Sequence, residues 1–208
     1  MWIKICGITR LQDAVSAARF GADAVGFIFA DSPRRVTPKQ ARKITKAMPA
    51  GPERVGVFVN RPLDEIEEII DYCGLDLVQL HGHEDPAYCS MLGGKVIKAL
   101  RVTGNTDLVE VYKYSCRAVL LDGYENTSCG ADGNGFDWRM VGVIDAGRPI
   151  IVAGGLTHEN VGKAITTTRP FGVDVSSGVE TAPGIKDPVL IYRFIEKARK
   201  VTYEVNKN

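Results

Sequence analysis

The sequence has no apolar run approaching the ~20 residues that a bilayer-spanning helix requires. Its opening, Met1-Trp2-Ile3-Lys4-Ile5, reads as a strand rather than a cleavable leader. A cytoplasmic protein with no membrane partner is expected. The chain also has almost no net charge: 26 Lys and Arg against 25 Asp and Glu leave +1, too little for the basic stripe with which proteins grip a phosphate backbone. No nucleic-acid partner is expected. The five cysteines, Cys6, Cys73, Cys89, Cys116 and Cys129, are odd in number and lack C-x-x-C spacing, which argues for free thiols in a reducing compartment. No low-complexity segment, charge block or Ser/Pro linker divides the sequence, so residues 1–208 are expected to form one domain.

What the chain does have is a repeating theme. Eight short runs rich in Val, Ile and Leu recur, at Trp2 to Ile5, Ala24 to Phe29, Val55 to Val59, Leu75 to Leu80, Val96 to Leu100, Ala118 to Leu121, Pro149 to Ala153 and Phe171 to Val175. Near-continuous hydrophobicity, rather than alternation, marks strands buried on both faces, hence a parallel sheet covered by helices. Thr37-Pro38, Asp85-Pro86 and Asp187-Pro188 each place a capping side chain before a proline suited to the first helical turn. Leu63, Ile66, Ile69 and Ile70 share one helical face. Eight strand–helix units in 208 residues predict an α/β fold, a (β/α)₈ TIM barrel at the short end of its ~200 to 400 residue range. An open doubly wound sheet usually carries G-x-G-x-x-G after its first strand, and here that place holds Cys6-Gly7-Ile8-Thr9-Arg10.

In such a barrel the active site lies at the C-terminal ends of the strands. The polar residues there are Cys6, Asp31 to Arg35, Gln79, His81, Gly82, Asp122, Gly154, Gly155, Asp174, Ser176, Ser177 and Gly178. Glycines after strand 7 and the Ser-Ser-Gly after strand 8 suit a phosphate cradle, although either could be a plain turn, with Thr157 capping the next helix. A phosphorylated small-molecule substrate follows. Cys6 could act as a general base if its pKa were lowered toward neutrality, and Asp122 as an acid if its surroundings raised its own. Buried-thiol and helix-capping roles are the plain alternatives. Arg34-Arg35 is either a solvated basic turn or a guanidinium fork for an anion. His81 can face the pocket while His83 faces solvent. With His158 as the only other histidine and no carboxylate cluster beside them, no metal is expected. The balanced surface, with no obvious apolar helix face, points to a monomer.

Taken together and in order, Lys4-Ile5-Cys6-Gly7-Ile8-Thr9, Gly21 to Phe27, Ser32-Pro33-Arg34-Arg35, Val55 to Asn60, Val78-Gln79-Leu80-His81-Gly82, Phe136-Asp137-Trp138, Ala153 to Leu156 and Asp174 to Glu180 resemble the phosphoribosylanthranilate isomerase family of tryptophan biosynthesis. The resemblance implies an Amadori rearrangement without a cofactor, with Cys6 as base and Asp122 as acid. It also implies that Arg35, Gln79, His81 and Asp174 bind substrate, Arg35 at the anthranilate carboxylate. Gly154, Gly155, Ser176, Ser177 and Gly178 would take the 5-phosphate. One loop departs from the family: where Gly-Gly-Ser/Thr-Gly is usual before Phe-Asp-Trp, this chain has Cys129-Gly130-Ala131-Asp132-Gly133-Asn134-Gly135. The rivals are the related histidine-pathway isomerase, whose base after strand 1 is an aspartate, and a sugar-phosphate-binding barrel without turnover.

Overall fold

The computed structural model describes residues 1–103, 105–123, 138–142 and 147–205. Eight parallel strands, β1 (Trp2–Ile5), β2 (Ala24–Ile28), β3 (Glu53–Phe58), β4 (Leu77–Leu80), β5 (Val96–Arg101), β6 (Ala118–Asp122), β7 (Ile150–Ala153) and β8 (Gly172–Val175), close in sequence order into a barrel. β1 pairs with both β2 and β8, and Lys4 stands opposite Asp174 in the register. The apolar runs are continuous because each strand serves two cores. Ile3, Ile5, Val25, Phe27 and Val173 pack outward beneath the helices. Ala24, Val55, Leu77, Ile97, Ala99, Ala118, Leu120, Ile151 and Ala153 pack inward around the axis. Each fully buried Ile or Phe contributes about 1.5–3 kcal/mol over an exposed one.

Among the described residues six α-helices cover the barrel: α1 (Leu11–Phe20), α2 (Pro38–Ala47), α3 (Leu63–Cys73), α4 (Pro86–Met91), α5 (Val161–Thr168) and α6 (Pro188–Val205). The prolines mark helix starts as expected. Thr37 forms a reciprocal capping box with Gln40, Asp85 accepts from the Tyr88 N–H, and Asp187 accepts from the N–H groups of Val189 and Leu190. On α3, Ile66 and Ile69 are buried while Asp64 and Glu65 lie in the first turn, where the helix dipole favours them.

The expectation of eight α-helical crossovers is corrected after β5. After β5 the chain forms a 3₁₀ segment, Asn105–Lys113, and after β6 the described part is another, Trp138–Gly142. The cause lies in the spacing. Leu108, Val111 and Tyr114 are buried at intervals of three, as are Trp138 and Val141, which matches the 3.0 residues per turn of a 3₁₀ helix rather than 3.6. Beyond β8 an unanticipated hairpin, β9 (Glu180–Ala182) with β10 (Ile185–Lys186), leads into α6. Among the described residues no helix is long and apolar enough to cross a membrane.

Candidate active site

Strand alternation decides which polar groups enter the barrel. On β1, Lys4 points inward, flanked by the outward Ile3 and Ile5, and Cys6 continues that inward series past the strand end. On β4 the inward positions are Gln79 and, one step beyond, His81; on β8 they are Asp174 and Ser176; β6 ends in Asp122. Lys4 has no exposed surface, and an unpaired ammonium there would be untenable. It donates to Asp174 Oδ2 at 2.9 Å and to Gln79 Oε1 at 2.8 Å. Small neighbours make room for its stem. A Cβ on Gly26 would lie 2.7 Å from Cys6 Sγ and 3.0 Å from Lys4 Cε, so the thiol and the lysine converge over a position that only glycine can fill.

Around these groups lies a cavity of about 230 Å³ lined by Cys6, Gln79, His81, Asp122, Asp174, Gly154, Gly155, Ser176 and Ser177. A wider cleft of about 650 Å³ between the ends of β4, β5 and β6 shares His81 and Asp122 with it. The two glycines have φ of 95° and 65°. Loops 7 and 8 touch closely: a Cβ on Gly178 would lie 1.9 Å from the Leu156 carbonyl oxygen, so glycine is obligatory there. Gly178 is not a lining residue. Thr157 Oγ1 accepts from the N–H of Glu159 and Asn160, while Asn160 Oδ1 accepts from the Thr157 N–H. This turn leads into α5, whose regular part begins at Val161.

Both titration expectations are reversed in the structure. Burial pushes the Cys6 thiol above its ordinary value of 9.0, an effect that Lys4 opposes only in part and Asp174 reinforces. The His81 hydrogen bond to Asp122 Oδ2, 3.2 Å, holds that carboxyl below its ordinary 3.8 against the opposing effect of burial. At rest the site therefore carries a thiol and a carboxylate. Burial pulls the Lys4 pKa down, but Asp174 and Cys6 outweigh it and the net shift is upward from the ordinary 10.5.

The two arginines after β2 part company. Arg34 makes the fork, but with a partner inside the protein: its Nε and Nη2 donate to both Glu180 oxygens at 2.7 to 3.0 Å. Lys186, buried beneath, donates to Glu180 Oε1 at 2.7 Å and to the Ser176 carbonyl at 3.0 Å. Burial lowers the Lys186 pKa. The ion cluster ties the loop after β2 to the loop after β8. Arg35 is exposed and does not line the cavity. His83 is exposed. The departing loop, with Ala131 and Asp132, lies outside the described residues, as do Phe136 and Asp137.

Sequence reasoning passed over Lys4, Glu180 and Lys186. Lys4 carried a usable signal, a lone lysine two residues before Cys6 in a run otherwise buried on both faces.

A family model described as N-(5'phosphoribosyl)anthranilate (PRA) isomerase matches residues 3–197. The N-(5'-phosphoribosyl)anthranilate isomerase of Desulforamulus reducens is 46% identical over 201 residues, covering 97% of this chain and 96% of that protein. The crystal structure of phosphoribosyl anthranilate isomerase from Thermotoga maritima superposes with a TM-score of 0.86 at 41% identity, covering 96% of this chain and 99% of that one. A structure of monomers generated from the dimeric Thermotoga maritima enzyme gives 0.84 at 40% identity, covering 96% and 98%.

Proposed function

The chain belongs to the phosphoribosylanthranilate isomerase family, enzymes of tryptophan biosynthesis, and we propose that it performs that rearrangement with Cys6 as general base and Asp122 as general acid. Its substrate is a small molecule. The observation that carries the residue roles is the meeting of Cys6, Asp122 and the two Gly/Ser loops around one cavity.

The steps balance without an outside reagent. A protonated Asp122 gives its proton to the ribose ring oxygen as the C1–O bond breaks, and the anilino nitrogen lone pair forms the C1=N bond. The Cys6 thiolate then takes the proton from C2, and the C–H electrons form C1=C2 while neutralising the iminium. Ketonisation of this enolamine delivers a proton to C1 as the C2 hydroxyl loses one. The 5-phosphate is read onto Gly154, Gly155, Ser176, Ser177 and Gly178, and the anthranilate carboxylate onto the exposed Arg35. Among the described residues the buried Asp174 Oδ1 has no hydrogen-bond partner, and a ribose hydroxyl supplies one.

The working protonation state differs from the resting one by a proton moved from Cys6 to Asp122. An anionic substrate beside Asp122 favours that move at the carboxyl end, and the ammonium groups of Lys4 and Lys186 stabilise the thiolate end. The reading further takes residues 1–208 as one catalytic domain acting as a monomer in the cytoplasm, for which sedimentation at micromolar concentration is the check on assembly. Consumption of phosphoribosylanthranilate, made in situ from anthranilate and phosphoribosyl pyrophosphate, tests the whole. Turnover by the wild type that is lost in Cys6→Ala supports it; a substrate bound but not turned over would mark a binding-only barrel.

A further inference from the structure

Across the mouth of the barrel runs a string of side chains whose hydrogen bonds have only one possible direction. It begins with Lys4, whose ammonium can only donate. Nζ gives one hydrogen to Asp174 Oδ2 and another to Gln79 Oε1 at 2.8 Å. That bond fixes which end of the Gln79 amide is oxygen, because the flipped amide would set N–H against N–H in a fully buried position. The Gln79 Nε2 is thereby turned toward His81 Nδ1, 3.1 Å away. An amide nitrogen donates and does not accept, so Nδ1 must be the bare nitrogen of the neutral ring. The ring hydrogen is left on Nε2, which stands 3.2 Å from Asp122 Oδ2.

We propose that Lys4 and Gln79 form a directional relay that locks His81 as the Nε2–H tautomer, so that its one N–H holds Oδ2 of Asp122 and leaves Oδ1 to the reacting ring oxygen. This rests on the acid role given to Asp122 above. It makes His81 and Gln79 positioning residues rather than substrate ligands. The opposite tautomer would point a lone pair at the carboxylate and release it. The arrangement also joins the two ends of the site, since the lysine that begins the string is the one packed beside Cys6 over Gly26.

The sequence holds three histidines, His81, His83 and His158, so protein labelled with ¹⁵N-histidine gives a spectrum simple enough to read nitrogen by nitrogen. Long-range ¹H–¹⁵N correlation at pH 8, with the His81 signals assigned by their loss in His81→Gln, is expected to show a protonated Nε2 and an unprotonated Nδ1. In Gln79→Leu the same signals are expected to move toward a tautomer mixture. Kinetically, His81→Leu should lower kcat by about tenfold or more, the range of a lost acid–base interaction, with KM within about twofold, as for a group acting only in the transition state. His81→Gln, whose Nε2–H reaches the same place, should recover part of that loss. An Nδ1–H tautomer in the wild type, an unchanged tautomer in Gln79→Leu, or a change in KM with kcat intact overturns the relay. The acid assignment fails separately, if Asp122→Asn keeps wild-type turnover whatever the tautomer.

Discussion

Two of the buried lysine–carboxylate pairs, on opposite sides of the barrel wall, are built differently. Outside it, Lys98 Nζ donates to Glu84 Oε2 at 2.8 Å and to the Gly82 carbonyl at 2.7 Å, with only 1% and 3% of the two side chains exposed. Glu84 is saturated: its Oε1 accepts from the Asn60 N–H and its Oε2 also from the Gly82 N–H. Inside the wall, Lys4 also meets a carboxylate at 2.9 Å, but Asp174 Oδ1 has no partner among the described residues and Lys4 spends another hydrogen on Gln79. The closed pair pins the loop after β4 to β5. The open pair keeps unspent hydrogen-bonding capacity at the cavity wall, and an unspent buried group is costly unless something else uses it.

The largest effect should sit on the open side. Cys6→Ala and Asp122→Asn are each expected to lower kcat by at least about 10², with the thermal midpoint nearly unchanged; turnover equal to wild type in either would remove that residue from the reaction.

Next in size is a direct contrast of the two lysines. Lys98→Met strands the Glu84 charge and is expected to cost about 3–5 kcal/mol of stability in urea unfolding, as broken buried pairs do, while turnover per folded molecule stays at the wild-type level. Lys4→Met should cost comparable stability and also lower kcat. Equal kinetic behaviour of the two variants would erase the distinction between the pairs.

A third expectation concerns pH and stability. The Glu84 carboxyl is buried, which alone would raise its pKa, but hydrogen bonds from Lys98 and the backbone bring it below its ordinary 4.5. A depressed folded value means the stabilisation is present above the unfolded pKa and fades as pH falls through the folded one. Unfolding free energy measured below about pH 4.3 should therefore drop less steeply in Glu84→Gln than in the wild type.

The pH profile of kcat/KM gives a subtler contrast. Because the base titrates above 9.0 and the acid below 3.8, the fraction with Cys6 ionised and Asp122 protonated is small and constant between those limits. A flat profile across neutral pH is expected, and a narrow bell would contradict the resting states described here. Smallest is Arg35→Ala, expected to raise KM by about tenfold with kcat little changed; an unmoved KM returns Arg35 to the solvated turn.

The sequence made the eight strands legible because burial on both faces leaves an unbroken apolar signature, and the proline-marked helix starts because capping is local chemistry. The crossover after β5 was not legible as a 3₁₀ segment without attending to the three-residue spacing of Leu108, Val111 and Tyr114. Among the candidate site residues, Cys6, Asp122, Asp174 and the Gly154 and Ser176 loops could be placed at the strand ends from alternation alone. Ionisation could not, since it depends on partners brought from far along the chain. His81 lies 41 positions from Asp122, and Lys4 lies 170 from Asp174. The same distance hid the difference between Arg34 and Arg35, adjacent residues of one type of which only the first meets Glu180.

The seam where β1 joins β8 sets the order in which this molecule can be finished. A ribosome makes β8 after the seven other strands of the barrel, so until then Lys4 waits on an open edge with neither Asp174 nor a closed wall around it. The helices of the early units can form and pack during that wait, but the barrel's interior cannot dry out until the last strand arrives. Its reactive mouth thus waits on β8, and a product cut short before Asp174 would expose a β1 edge ready to pair with a neighbour.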